Sequence, residues 1–183
     1  MTEDTRRVKK ERQLAKLLDS REFRSRLNRM WMISDRMGKE CGIAGYLKDG
    51  ITLSEIFVGN EHSLTLNSGT LALRGLADGL GLFYFFAHTH PHQNSSILPS
   101  PADIDFLSHV RRNYERIGIG ITPVHAIIKP EEYGDQRSAY LVLYQEKTEN
   151  PLFKKMSSAK KAVKTLKFIH DFPLRFPIER EIS

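Results

Sequence analysis

Two histidines, separated by a single residue, are the part of this sequence best suited to chemistry. His88 and His90 follow an apolar and aromatic run, Leu82 to Ala87, that is typical of a strand covered on both faces. Side chains alternate along a strand, so both imidazoles are expected on one face, at the end of a rigid element. Pro91 follows, and proline cannot continue the hydrogen-bonded ladder. The pattern predicts two neighbouring metal ligands at a strand end that is open to solvent.

A third metal ligand has to come from another element, and Asp103 is the best candidate. The segment from Pro91 to Pro99 is long enough to fold back, and Ser100 begins a predicted helix whose first turn carries Asp103. Two histidines and a carboxylate leave the fourth zinc position for water, whose pKa the metal lowers to about 7. We therefore predict a single zinc ion bound by His88, His90 and Asp103. A simpler alternative is that Ser100 and Asp103 only form a helix-capping box.

A metal-dependent hydrolase also needs a group that moves protons, and Glu40 is the candidate. It stands before the apolar segment Cys41 to Leu47, where a charged residue is otherwise unexpected. We expect it to act as general base on the water and then as general acid toward the leaving group. The alternative for Glu40 is a surface carboxylate before a strand. Cys41 is interpreted as a small buried hydrophobic residue, not as a nucleophile.

Hydrophobic periodicity and turn residues predict the elements that position these side chains. Helices are predicted over residues 6–33, in a short segment after Gly69, from Ser100 onward, and over residues 158–169. Strands are predicted over residues 40–47, 51–58, 82–87, 124–128 and 138–144, with an extended tail at 172–177. The buried faces of the second and third helices are predicted to be Leu73, Leu76, Ala77 and Leu80, and Leu107, Val110, Tyr114 and Ile117.

This order of elements predicts an α/β protein with a single mixed sheet flanked by helices. We expect an N-terminal helical extension at residues 1–37, a core domain at 38–148, and a basic C-terminal helix and tail at 149–183. No run approaches the roughly 20 apolar residues of a membrane span, and we identify no secretory signal. The single cysteine excludes a cysteine metal cluster and favours a reducing compartment, so we expect a cytoplasmic protein.

The chain carries a net charge of +6, with a pI of about 9.5, and the excess lies at its ends. Residues 154–167 carry six lysines and no acidic residue. Basic ends of this kind can bind nucleic acid or an acidic protein face. No aromatic residues interleave with the basic ones, which favours solvated amphipathic helices over a surface that stacks on bases.

Together these segments resemble the signature of the JAMM (MPN-plus, or JAB) metallopeptidases. The resemblance rests on Glu40-Cys41-Gly42, His88-Thr89-His90-Pro91 and Ser100-Pro101-Ala102-Asp103, and it covers roughly residues 40–144. It implies a JAB/MPN-like, cytidine-deaminase-like fold, with zinc on the two histidines and Asp103. It also implies Glu40 as general base and acid, and Ser100 as a donor to the oxyanion. The nine residues between His90 and Ser100 exceed the usual spacing, which affects the substrate cleft more than the metal site.

The resemblance also implies a substrate class. Members of the family are isopeptidases that release ubiquitin or ubiquitin-like proteins from lysine side chains, and small prokaryotic members include enzymes of antiphage defence. We therefore expect a peptidase or isopeptidase, similar to deubiquitinases, that cleaves after the tail of a ubiquitin-like protein. Such a tail would be extended and would pair with a strand edge near the site.

Two other interpretations remain open. Leu98-Pro99-Ser100 before Asp103 is also similar to RadC-like JAB proteins associated with DNA repair, a role that the basic ends would suit. A binding module with a structural metal would need a fourth protein ligand, for which His92 is the only nearby candidate. Barrel hydrolases need a longer chain, zinc deaminases need paired cysteines, and no His-Glu-x-x-His helix is present.

Overall fold

A computed structural model shows one eight-stranded sheet with helices packed against both faces. The structure describes residues 12–61, 64, 68–91, 99–133, 136–146, 166–168 and 174–177. The helices are α1 (residues 12–19), α2 (Arg21–Met37), α3 (Ser68–Ala77) and α4 (Pro101–Arg116). The strands are β1 (Cys41–Leu47), β2 (Ile51–Leu53), β3 (Phe57–Val58), β4 (Leu82–Thr89), β5 (Val124–Tyr133), β6 (Gln136–Glu146), β7 (Leu166–Phe168) and β8 (Leu174–Pro177).

The sheet places the histidine strand β4 at its centre. Its order is β2-β1-β4-β5-β6-β7, with β3 pairing β1 and β8 pairing β6. Strand β1 runs antiparallel to β4, with Gly42 opposite His88, and β4 runs parallel to β5. The predicted mixed sheet flanked by helices is confirmed, and the strand that follows Glu40 lies directly beside the histidine strand.

Each face of the sheet has its own apolar core. Helices α1 and α2 contribute to the first cluster, in which Phe23 and Trp31 pack with Phe85 and Ala87 of β4. Helices α3 and α4 cover the other face, where β4 contributes Phe86. Because side chains alternate along β4, His88 lies on the same face as Phe86, beneath α4. The first turn of α4 is therefore available to the histidines.

The predicted first helix is in fact two helices. Ser20 separates α1 from α2, since its Oγ accepts a hydrogen bond from the Phe23 N–H and caps α2 at 3.1 Å. The same hydroxyl donates to the Leu17 carbonyl oxygen, 2.8 Å away. Residues 6–11 of the prediction lie outside the described residues. The predicted strand 51–58 is also divided, into β2 and β3. Between them, Ser54 Oγ accepts a hydrogen bond from the Ala44 N–H at 2.9 Å, which interrupts the backbone ladder.

The predicted buried face of α3 is wrong for Leu73, Leu76 and Ala77, whereas Leu80, just beyond the helix, is partly buried against the core as predicted. Leu73 and Leu76 are 68% and 56% exposed, whereas Leu71 and Gly75 face the sheet. A side chain at Gly75 would come within 2.3 Å of the Tyr46 ring, so the absence of a Cβ lets the helix approach. Leu107, Val110 and Tyr114 of α4 are buried as predicted, but Ile117 is 67% exposed because it caps the end of that helix.

The predicted C-terminal helix 158–169 is wrong where the structure describes it. Leu166–Phe168 is strand β7 and pairs antiparallel with β6, while residues 158–165 lie outside the described residues. The outer edge of β6 would otherwise leave backbone groups unpaired. Strand β7 pairs with residues 144–146 of that edge and β8 with residues 138–141. Strand β8 confirms the extended tail at 174–177. Within the described residues, no helix has both the length and the apolar character needed to cross a membrane.

Candidate metal centre at the end of strand β4

The two histidines of the predicted site converge at the end of β4. His88 is the penultimate residue of the strand and 4% exposed, and His90 follows the last residue, Thr89. The His90 N–H donates to the Ile128 carbonyl oxygen of β5 at 2.9 Å, which fixes the backbone beyond the strand end. The two Nε2 atoms lie 2.9 Å apart. The imidazoles therefore face one point, as alternation along the strand predicts.

The carboxylate of Asp103 faces the histidines with one oxygen and caps α4 with the other. Oδ2 accepts from both the N–H and the hydroxyl of Ser100 at 2.7 Å, and Ser100 Oγ accepts from the Asp103 N–H at 3.2 Å. Oδ1 lies 3.8 Å from His88 Nε2. The capping box considered as an alternative is present. It does not compete with a metal site, because it orients the carboxylate and leaves Oδ1 toward the histidines.

Glu40 precedes β1 on the side of the sheet that carries the histidines. Gly42 pairs with His88, and alternation along the chain places Glu40, two residues before Gly42, toward the same face of the sheet. Burial and the charge of Asp103 raise the pKa of Glu40 to about 7, and a hydrogen bond from the Leu64 backbone offsets part of this. Glu40 can therefore both accept and release a proton near neutral pH.

The opposite face of β4 holds the backbone around Glu40 through two buried hydroxyls. Thr89 Oγ1 lies 2.7 Å from Ser34 Oγ of α2 and accepts the Cys41 N–H at 2.9 Å. Ser34 Oγ donates to the Lys39 carbonyl oxygen at 2.7 Å. The residues before and after Glu40 are thus tied to the end of α2 and to the histidine strand. This clamp determines where Glu40 enters the site.

Gly42 allows an aromatic ring to cover His88. An added Cβ at Gly42 would lie 2.3 Å from the Leu64 side chain and 2.9 Å from the Phe86 ring. Phe86 stacks on His88 with the ring centroids 5.9 Å apart. The glycine of the Glu-Cys-Gly segment is therefore required by close packing next to the site.

Two residues at the centre were missed by the analysis of the sequence. His125 of β5 has its Nε2 2.8 Å from His88 Nδ1, and its Nδ1 lies 2.9 Å from the Tyr144 hydroxyl of β6. His88, Asp103 and His125 offer ligand atoms within 4.8 Å of one another, and this buried group could hold a metal ion. The only signal in the sequence was a polar residue inside the predicted strand 124–128.

Burial sets the protonation states that metal ligands need. It lowers the pKa of His88 to about 4 and that of His125 to about 3, so both imidazoles are neutral at pH 7. The contact between His88 and Asp103 is consequently not an ion pair. Burial acts to raise the pKa of Asp103. His88, His125 and the hydrogen bonds from Ser100 act against burial more strongly, so the pKa of Asp103 lies below its usual value. Neutral imidazoles beside an ionised carboxylate are what a divalent metal binds.

Three further expectations concern Cys41, Ser100 and His92. Cys41 is fully buried and burial raises the pKa of its thiol to about 11, in agreement with a hydrophobic role. The Ser100 hydroxyl donates to Asp103 in this structure, so its role as an oxyanion donor stays a prediction. His92, the fourth ligand in the structural-metal alternative, lies outside the described residues together with the rest of 92–98.

Comparison with protein-family models and with characterised protein sequences gives no match for this chain. A functional assignment therefore depends on the site itself.

Proposed function

We propose that this protein is a zinc-dependent hydrolase of peptide or isopeptide bonds, of the JAMM type. The observation that carries the proposal is that His88 Nε2, at the end of β4, lies close to both His90 Nε2 and Asp103 Oδ1. These atoms lie on the side of the sheet that Glu40 enters from β1. The pairing of β1 with β4 supports the JAMM interpretation, because the signature needs its glutamate and its histidines on adjacent strands.

The spacing of the candidate ligand atoms suits a tetrahedral zinc ion. Zinc binds nitrogen and oxygen ligands at 2.0–2.2 Å, so tetrahedral ligand atoms stand about 3.3 Å apart. The two Nε2 atoms are 2.9 Å apart, and His88 Nε2 lies 3.8 Å from Asp103 Oδ1. The two separations from His88 bracket the tetrahedral value and differ from it by about half an ångström. Two imidazoles and one carboxylate favour zinc over the harder magnesium and calcium ions.

His90 and His125 compete for the place of third ligand. His125 Nε2 faces Nδ1 of His88, whereas His90 Nε2 faces Nε2 of His88, the nitrogen nearer Asp103. A histidine ligand binds a metal through one nitrogen and donates a hydrogen bond from the other. If His88 binds through Nε2, His125 is placed to accept that hydrogen bond. We therefore include His88, His90 and Asp103 in the proposed ligand set, as the sequence predicts.

The residues of the chain would divide the chemistry as follows. Zinc, when bound, would act as a Lewis acid that lowers the pKa of water at its open position. Glu40 takes a proton from the attacking water as its oxygen bonds to the scissile carbonyl carbon. The same carboxyl group then gives this proton to the amine nitrogen as the carbon–nitrogen bond breaks. Its pKa of about 7 suits both steps. Ser100 orients Asp103, and its hydroxyl would have to turn toward the substrate to stabilise the oxyanion.

The substrate proposed is the tail of a ubiquitin-like protein joined to a lysine side chain. This part comes from the JAMM resemblance, as do the JAB/MPN-like, cytidine-deaminase-like fold and a link to antiphage defence, whereas the proposed cytoplasmic location comes from the single cysteine. An extended tail can present its scissile carbonyl group to the site without unfolding of the modifier. Of the basic ends on which the nucleic-acid alternative depends, the C-terminal one lies mostly outside the described residues, whereas residues 12–30 of the N-terminal one form α1 and the start of α2.

Metal content tests the first half of the proposal. We expect about one zinc ion per wild-type chain and none in a His88→Ala, His90→Ala double variant that keeps its fold. His109→Ala, an exposed position on α4, is the matched control and should keep its zinc. A folded, unchelated wild-type protein without zinc would refute the hydrolase proposal.

Cleavage of a model conjugate tests the second half. The substrate is a ubiquitin-like tail joined through an isopeptide bond to a fluorescent lysine peptide. Glu40→Gln should retain zinc but lose about 10²- to 10⁴-fold in rate, the usual contribution of a general base. Chelation should abolish cleavage and added zinc restore it. A Glu40→Gln protein that loads zinc and cleaves at the wild-type rate would remove Glu40 from the mechanism.

A further inference from the structure

A buried chain of hydrogen bonds ends at the second ring nitrogen of His88. His88 Nδ1 lies 2.8 Å from His125 Nε2, and His125 Nδ1 lies 2.9 Å from the Tyr144 hydroxyl. The three residues belong to the neighbouring strands β4, β5 and β6, and they are 4%, 0% and 0% exposed. Because these three side chains are closed to solvent, each of their donors and acceptors needs a partner within the protein.

Ring packing holds the middle member of this chain in place. The His125 ring centroid lies 4.8 Å from that of His88, 4.9 Å from that of Tyr144 and 5.2 Å from that of Phe86. A ring enclosed on three sides has little freedom to turn away from its partners. The distances to His88 and Tyr144 are therefore maintained by packing as well as by hydrogen bonding.

The protons on the two imidazoles and the phenol limit the hydrogen bonds among His88, His125 and Tyr144 to two arrangements. Each neutral imidazole has one donor and one acceptor nitrogen. In the first arrangement Tyr144 donates to His125, which donates to His88 and leaves the proton of His88 on Nε2. In the second, His88 donates from Nδ1, His125 donates from Nδ1, and the Tyr144 oxygen accepts. Only the second leaves the lone pair of His88 Nε2 free for a metal.

We propose that His125 and Tyr144 are positioning residues that accept the Nδ1 proton of His88 when zinc is bound, so that the Nε2 lone pair of His88 faces the metal. The inference rests on the proposed function, because it takes His88 as a zinc ligand. His125 acts through His88 and is not itself a ligand, although it lies within reach of the same group. Both arrangements carry no net charge. A change from the first to the second on zinc binding therefore reverses the donor and acceptor roles of His88, His125 and Tyr144 without charging any of them.

The test compares the zinc affinity of the full chain with that of variants, by competition with a chromophoric chelator. His125→Leu removes the acceptor and should weaken zinc binding by about tenfold to a hundredfold, as loss of such a partner generally does. His125→Gln places an amide oxygen near the position of Nε2 and should remain closer to wild type than to His125→Leu. His109→Leu, on the exposed surface of α4, should leave the affinity unchanged.

Tyr144→Phe tests the far end of the chain with a conservative change. Phenylalanine can neither accept the His125 Nδ1 proton in the zinc-bound arrangement nor donate to Nδ1 in the other, and a buried N–H without an acceptor is the costlier of the two defects. We expect weaker zinc binding than in wild type, with the fold retained. This variant keeps the proposal testable if His125→Leu does not fold, which circular dichroism will show.

Nitrogen-15 chemical shifts of the histidine rings in the zinc-loaded protein give a readout independent of affinity. We expect protons on Nδ1 of both His88 and His125, and no metal-bound nitrogen in His125.

The outcomes separate this inference from the proposed function. If His125→Leu and His125→Gln both lose zinc while His90→Ala keeps it, His125 is a ligand and the positioning role is overturned. Wild-type affinity in His125→Leu and Tyr144→Phe also overturns it, but the proposed function stands if His88→Ala still abolishes binding. A wild-type chain that binds zinc no better than His88→Ala refutes the proposed function, and this inference with it.

Discussion

Replacing Glu40 with glutamine should stabilise the metal-free protein while it removes activity. Burial and the charge of Asp103 raise the pKa of Glu40 from 4.5 to about 7 in the folded state. A tenfold change in proton affinity is worth about 1.4 kcal/mol, so the ionised Glu40 destabilises the folded state by at most about 3.4 kcal/mol. Glu40 is only half-buried, and screening by water reduces this to about 1.5 kcal/mol. Glutamine keeps an oxygen for the Leu64 N–H and carries no charge to desolvate.

The gain should depend on pH with a definite sign. A carboxyl group whose folded pKa is raised binds its proton more tightly in the folded state, so its ionisation reduces stability as pH rises from about 4.5 to about 7. Guanidinium unfolding with a chelator present, at pH 5 and pH 8, measures the effect. Glu40→Gln should exceed wild type by about 1.5 kcal/mol at pH 8 and by clearly less at pH 5.

A matched control separates this effect from the general loss of a negative charge. Glu55→Gln removes an exposed carboxylate near β3 and should show no gain that grows with pH. An equal gain for Glu40→Gln at both pH values, or a loss of stability at pH 8, would show that Glu40 is not strained by burial. The reasoning that makes it a poised base would then be wrong. The expected result is the usual cost of placing a carboxylate where water is scarce.

Three further substitutions test the packing and capping that surround the site. Gly42→Ala should lower the free energy of unfolding by about 1–3 kcal/mol in a denaturant titration, because the new methyl group would overlap Phe86. Thr89→Val leaves Ser34 Oγ and the Cys41 N–H without the Thr89 hydroxyl. It should lower the free energy of unfolding by about 1–3 kcal/mol and slow cleavage of the model conjugate, whereas Thr89→Ser should keep stability and rate near wild type. Ser100→Ala removes the helix cap, so we expect a loss of about 1 kcal/mol and weaker zinc binding by the freed Asp103. Wild-type stability in any of these variants would contradict the corresponding contact.

Local sequence rules were sufficient where a residue's role depends on its near neighbours. Strand alternation predicted that His88 and His90 share a face, and their Nε2 atoms are 2.9 Å apart. The spacing of Ser100 and Asp103 predicted a capping box, which is present. That these residues bind zinc stays a prediction.

Local rules failed where burial depends on which face of an element meets the sheet. Leu73 and Leu76 formed the more apolar stripe of α3, yet the helix turns Leu71 and Gly75 inward because only a glycine fits against Tyr46. The lysine-rich C-terminal segment had a helical pattern, yet Leu166–Phe168 pairs with the open edge of β6. In both cases a tertiary contact outweighed a weak local preference.

The sequence by itself determined the types of residue available for chemistry and the short spacings that hold His88 beside His90 and Ser100 beside Asp103. Tertiary structure alone decided that β5 and β6 bring His125 and Tyr144 behind His88. Backbone dihedral preferences and side-chain alternation act within a few residues, so they can be read from the chain. The identity of a strand's neighbour depends on packing between segments far apart in sequence, and no local pattern encodes it.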